Sequence, residues 1–194
     1  MPFGDIVPLG EGLLGASLYS FEMGQRPMTA HLYVSADDGG TWTWRSTLRE
    51  DDTNEVALLP LAGGRLLAAA RTCGDAHLEL FASSDRGGTW EGCGPLTLGG
   101  QHPAHLLQLA DGRILLTYGI RNRGLYGLGV RLSADGGETW SDPRVLASWE
   151  GARDGGYPAS VQAEDGTVVT AYYCNHIPAH QRYHMGVLRW RVEG

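Results

Sequence analysis

Ser35-Ala36-Asp37-Asp38-Gly39-Gly40-Thr41-Trp42 recurs as Ser83-Ser84-Asp85-Arg86-Gly87-Gly88-Thr89-Trp90, and again as Ser133-Ala134-Asp135-Gly136-Gly137-Glu138-Thr139-Trp140. The shared pattern is S-x-D-x-G-x-x-W, and copies starting at 35, 83 and 133 lie 48 and 50 residues apart. The physics of the octapeptide is local. The Asp carboxylate accepts hydrogen bonds from N–H groups of its own turn, the Gly supplies a positive φ, and the Trp folds back over the hairpin. One copy can arise by chance; three in register cannot. A repeat of this length is that of one supersecondary unit, as in a propeller blade.

A second marker precedes each octapeptide. Leu9-Gly10-Glu11-Gly12-Leu13-Leu14 resembles Leu61-Ala62-Gly63-Gly64-Arg65-Leu66-Leu67, Leu109-Ala110-Asp111-Gly112-Arg113-Ile114-Leu115 and Ala163-Glu164-Asp165-Gly166-Thr167-Val168-Val169. Each reads as strand, short Gly turn, strand. The four copies define four units, 1–50, 51–100, 101–152 and 153–194. The Gly turn lies between the first two strands of a unit and the octapeptide between the last two. The fourth unit lacks the octapeptide but keeps a strand signal through Gly186-Val187-Leu188-Arg189-Trp190-Arg191-Val192. No segment carries a helical period. The expected fold is all-β, a single β-propeller domain over 1–194 made of four-stranded antiparallel blades. Each blade must bury both faces, so the ring has to close or its ends must be covered. The sequence equally permits a four-bladed ring, a piece of a larger propeller, or two copies completing one ring.

Composition agrees. Of 194 residues 42% are apolar and 19% charged, enough for a packed core, and the 29 glycines are spread through the chain as many tight turns require. Lys is absent, so every basic side chain is Arg, and the formal charge of −7 argues against nucleic acid or an anionic membrane as partner. A local Arg cluster can still hold a small anion. Cys73, Cys93 and Cys174 are odd in number and lack C-x-x-C spacing, which suits free thiols better than a disulfide framework or a zinc site. His176, His180 and His184 would converge on a metal only on a helix, and Pro178 opposes one. Neither metal nor cofactor is expected. No signal-peptide core stands at the N-terminus, so a complete chain would be cytoplasmic.

The hairpin glycines Gly12, Gly64, Gly112 and Gly166 give a common origin for the four units. Nine residues earlier stand Phe3, Glu55, Pro103 and Tyr157, and two further on Asp5, Ala57, His105 and Ala159. Seven residues beyond the glycine stand Tyr19, Arg71, Gly119 and Tyr173. In a propeller, these positions open on the central mouth. The register therefore places Glu55, Tyr157, Arg71, Asp5 and His105 near one another. Arg121 and Arg123 follow just past the second strand of the third unit.

At these residues the chain resembles the sialidase (neuraminidase) superfamily, in particular bacterial sialidase-like proteins with such Asp-box, or BNR, repeats. Glu55 opens an inner strand and Arg71 ends the next, 16 residues on, through Gly63-Gly64-Arg65-Leu66-Leu67. The Gly156-Tyr157-Pro158-Ala159-Ser160 stretch stands where that family carries its nucleophile. The resemblance implies retaining glycoside hydrolysis of an anionic, sialic-acid-like sugar, with Tyr157 attacking and Glu55 taking its proton. A phenol avoids the repulsion that a carboxylate nucleophile would meet from the substrate's own carboxylate. That carboxylate would be clamped by Arg71 and by Arg121 or Arg123. The family's first Arg and its acid/base Asp have no counterpart in this chain; Asp5 is the substitute acid at the mouth and His105 a second candidate. The rival reading is a non-catalytic propeller binding carbohydrate or protein at the same mouth.

Overall fold

The computed structural model describes residues 1–20, 27–74, 76–151, 153–176, 178–179 and 181–192. Among these residues fifteen strands follow one another as antiparallel meanders in four sheets. The first blade is β1 (Pro2–Gly10), β2 (Leu13–Tyr19), β3 (Ala30–Ser35) and β4 (Thr43–Arg49). The second is β5 (Thr53–Pro60), β6 (Leu66–Thr72), β7 (Leu78–Ser83) and β8 (Glu91–Pro95). The third is β9 (Gln101–Gln108), β10 (Ile114–Asn122), β11 (Leu125–Ser133) and β12 (Arg144–Trp149). The fourth has three strands among the described residues, β13 (Gly156–Gln162), β14 (Val168–Cys174) and β15 (His184–Trp190), where four were expected. β15 closes at Trp190, and residues 191–192 are the last described. The blades fall into two compact units, Met1–Leu98 and Gly99–Gly194, each holding two blades.

In the first unit the two blades pack face to face. Val7, Leu9, Ala30, Leu32 and Leu48 from one meet Val56, Leu58, Leu66, Ala68, Ala70 and Phe81 from the other. Removing one large aliphatic side chain from water is worth about 1.5–3 kcal/mol, so this sandwich is the main stabilising feature of the unit. In the second unit Leu109, Leu115, Val130 and Val168 form the equivalent cluster, flanked by Leu107, Leu132, Leu146 and Trp190.

The Asp boxes occupy the third-to-fourth strand turn, as their spacing requires. In the first, Thr41 N donates to Asp37 Oδ1 at 2.8 Å, the Ser35 hydroxyl donates to the same oxygen at 2.7 Å, and Trp42 Nε1 donates to Gly39 O at 3.1 Å. These donors hold the Asp37 and Asp85 carboxyls down at about 2, first through the Thr41 or Thr89 backbone N–H, and Asp135 is held well below the usual range, first by the Thr139 hydroxyl and then by the Thr139 N–H. The second box also clasps the preceding blade. Gly87 accepts from the Ser46 hydroxyl at 2.5 Å, Trp90 Nε1 donates to Ser46 Oγ at 3.0 Å, and Arg45 donates to Asp85 O at 2.9 Å. A Cβ on Gly87 would stand 2.1 Å from Leu32, so glycine is required there twice over, by its φ of 79° and by this approach.

One irregularity recurs in all four blades and bears on the site. The register between the first two strands breaks at the same end each time: between Phe3 and Val7, Thr53 and Val56, Tyr118 and Ile120, and Gly156 and Ala159. Bulges of this kind bend the strand and re-aim side chains, and they concentrate at functional rims. Asp5, Glu55 and Tyr157 all lie in such breaks.

Candidate functional site

In the second unit the bulge of β13 throws Tyr157 into a left-handed backbone, φ 50°. An aromatic residue adopts this conformation at a cost of about 1–3 kcal/mol, and such strain persists where packing over-determines it. The packing is visible. The Tyr157 ring stacks on Tyr173 with centroids 5.5 Å apart, and the Arg121 guanidinium lies over it, 5.2 Å from the centroid. Arg121 is in turn fixed: it donates to Gly155 O at 3.0 Å and lies 3.6 Å from Asp154, with only 11% of its side chain exposed. Its Nε is buried and has no hydrogen-bond partner. Gly155 and Gly156 let the chain through; a Cβ on Gly156 would stand 2.9 Å from Gly119 Cα.

Asp154 is the hub of this cluster. It accepts hydrogen bonds from Tyr173 at 2.9 Å and from Tyr183 at 2.6 Å, and the two rings meet edge to face at 5.6 Å. The Tyr183 hydroxyl, then the Tyr173 hydroxyl and Arg121, hold the Asp154 carboxyl below its usual range against the opposing effect of burial. Burial, followed by the bond to Asp154, pushes the Tyr173 phenol up to about 12. Asp154 is therefore an anion and Tyr173 a neutral donor at any physiological pH.

In the first unit Arg71 Nη1 donates to Glu55 Oε2 at 2.7 Å, across the β5–β6 strand pair. The pair is well sheltered, with 23% and 8% of the two side chains exposed. Arg71 Nε is buried without a hydrogen-bond partner. Tyr19 lies beside them: its phenol is pushed up by burial first and then by the Glu55 carboxylate, with Arg71 opposing. Asp5 sits exposed in the bulge of β1.

The structure thus brings Glu55 to Arg71 and Tyr157 to Arg121. Arg123 stands apart, exposed in the two-residue turn between Asn122 and Leu125. His105 is half-buried on β9, with its Nδ1 3.4 Å from Ser160 N on β13, a tie between neighbouring blades. Asp154 and Tyr183 were not picked out from the sequence. Both come from loops outside the repeat register, where offset counting has no hold, whereas Tyr173 and Tyr19 were already in the same aligned column as Arg71. Among the described residues no group of three or more His, Cys, Asp or Glu could hold a metal; His180 lies outside the described residues. Cys73, Cys93 and Cys174 form no disulfide.

The family model of the BNR repeat-like domain matches residues 4–170. No curated protein matches the chain. Among solved structures, a protein of unknown function from Dyadobacter fermentans is 28% identical, with a TM-score of 0.77 over 95% of this chain and 52% of its own. An α-L-arabinofuranosidase from Fusarium graminearum is 20% identical, with a TM-score of 0.71 over 94% of this chain and 59% of its own. A Hadza microbial sialidase is 19% identical, with a TM-score of 0.64 over 92% of this chain and 35% of its own. The last two likenesses are of fold. The chain spans about half the length of the first two.

Proposed function

This chain belongs to the BNR repeat-like domain family, and from that premise we propose that it is part of a sialidase-like, retaining glycoside hydrolase acting on an anionic sugar, with Tyr157 as nucleophile. The observation that carries the reading is the strained Tyr157 held between Tyr173 and the Arg121 guanidinium. A tyrosine held in a left-handed backbone at the bulge of β13, its ring braced by an aromatic and a cation, is what a pre-organised reacting group needs. In the first step the phenol oxygen, its proton passing to a base, bonds to the anomeric carbon while the glycosidic C–O bond breaks and the leaving oxygen takes a proton from an acid. In the second, water releases the sugar from Tyr157 with the same configuration at the anomeric carbon. Arg121 supplies fixed positive charge for a substrate carboxylate. The roles of Glu55 as base, Asp5 as acid and Arg71 as a second clamp rest on the repeat register and on the resemblance, the Glu55–Arg71 pair adding its own geometry.

A second reading, binding without turnover, is favoured by one observation: Arg71 and Arg121 are already engaged, by Glu55 in one case and by Asp154 and Gly155 in the other. One set of assays separates the two. The full chain is incubated with an aryl α-sialoside and, because arabinoside hydrolases share the fold, with an aryl α-L-arabinofuranoside. Turnover of the sialoside that Tyr157→Phe abolishes, with binding retained by calorimetry, is the expected result. Turnover unchanged in Tyr157→Phe removes the nucleophile assignment, and binding with no turnover of either substrate supports the second reading.

A further inference from the structure

A cavity of about 520 Å³ opens at the end of the third blade. Its walls include Leu125 and Tyr126 of β11, Ser148 and Trp149 of β12, and Glu150 just beyond. The volume lies within the range of small-molecule sites, which are largely apolar and aromatic with a few polar groups to fix orientation. The cavity stands at the same blade end as Arg121. Arg121 pairs across the sheet with Tyr126, and Tyr126 with Trp149, so Arg121 and Trp149 are two strand spacings, about 10 Å, apart.

The wall is rigid. The Trp149 indole stacks on Tyr172, centroids 5.5 Å apart and planes within 13° of parallel. Behind it a Cβ on Gly155 would stand 2.9 Å from Trp149 Cζ2, and the Gly155 carbonyl is the one that anchors Arg121. One stretch of backbone therefore supports both the cavity and the Arg121–Tyr157 cluster. Leu125, the first residue of β11, is 40% exposed on the lip. Glu150 puts an exposed carboxylate on the rim, which accepts hydrogen bonds from hydroxyls and repels anions. Aromatic walls with an acceptor at the edge suit the apolar face and hydroxyl rim of a neutral sugar ring.

We infer that this cavity binds the neutral sugar that follows the residue held at Tyr157, the leaving group of the proposed reaction. The inference rests on the proposed glycoside-binding role, and its test reads binding rather than activity. Calorimetry on the full chain carrying Tyr157→Phe compares 3′-sialyllactose with methyl α-sialoside, and arabinotriose with methyl α-L-arabinofuranoside. The longer member of one pair is expected to bind at least about tenfold tighter, since each further well-packed contact surface adds to affinity. Leu125→Glu, which places a second carboxylate on an exposed lip position, removes that advantage and leaves the affinity for the methyl glycoside unchanged. Ser148→Trp, which fills the cavity from an exposed position on β12, does the same. Equal affinities within both pairs, or an advantage that survives both substitutions, overturns the inference. Turnover of the aryl sialoside without a length advantage defeats the cavity alone. A length advantage lost in both variants, in a chain that turns over nothing, defeats the hydrolase reading and leaves the cavity standing.

Discussion

Arg71→Ala is the perturbation whose size the structure sets most directly. It removes the guanidinium 2.7 Å from a Glu55 carboxylate that is only 8% exposed. Breaking a buried ion pair from one side costs about 3–5 kcal/mol, because the partner carboxylate loses that cation while staying sheltered from water. The partial exposure of Arg71, 23%, places the expectation at the lower end, about 3 kcal/mol. In a chain of this length each kcal/mol moves Tm by about 2–4 °C, so the variant melts about 6–12 °C lower. The double variant Glu55→Leu with Arg71→Met exchanges both charges for apolar groups of similar volume and stays within about 1 kcal/mol of wild type. Urea unfolding of the two single variants and the double variant forms the cycle that isolates the pair. Arg123→Ala, at an exposed hairpin turn, is the control and shifts stability by less than about 0.5 kcal/mol. A loss below about 1 kcal/mol in Arg71→Ala, or a double variant as unstable as the single, refutes the view that Glu55 and Arg71 form a sheltered pair.

Other outcomes follow from the same contacts. The Asp37 and Asp85 carboxyls sit at about 2 in the folded chain, below their unfolded values, so their stabilising effect is full above the usual carboxylate range and is lost as pH falls towards 2; Asp37→Asn flattens the acid arm of a Tm-against-pH curve. In Asp154→Asn the Tyr173 phenol loses a nearby negative charge, so its ultraviolet titration step near 12 moves down but stays above the ordinary tyrosine value because burial persists. Gly129→Ala places a methyl 2.3 Å from Cζ of Tyr118, which is 1% exposed and lies over that glycine, and costs about 1–3 kcal/mol by thermal melt.

The blade architecture was legible because its determinants are local. The Asp box satisfies its carboxylate within eight residues, and each Gly turn dictates its hairpin, so counting from them located every strand pair. Offset counting also found Glu55 with Arg71, since the two are partners across one strand pair, and it put Tyr157 at the bulged end of β13. It could not find what holds Tyr157. Asp154 and Tyr183 come from loops whose lengths vary between units, and their roles depend on side chains meeting across the β12–β13 and β14–β15 connections. Nor could it separate Arg121 from Arg123. Two residues apart on one face of a strand, they differ only because β10 ends at Asn122, leaving Arg121 over the Tyr157 ring and Arg123 in the turn.

The central claim is that Tyr157 becomes covalently bonded to the sugar during turnover, and trapping that bond tests it most directly. Incubating the full chain with 2,3-difluorosialic acid, which forms a glycosyl-enzyme slow to hydrolyse, and mapping the adduct by peptide mass spectrometry reads out the labelled residue. A 3-fluorosialosyl adduct is expected on the peptide containing Tyr157, absent from Tyr157→Phe. An adduct on another residue, or none in a chain that turns over the aryl sialoside, contradicts the claim.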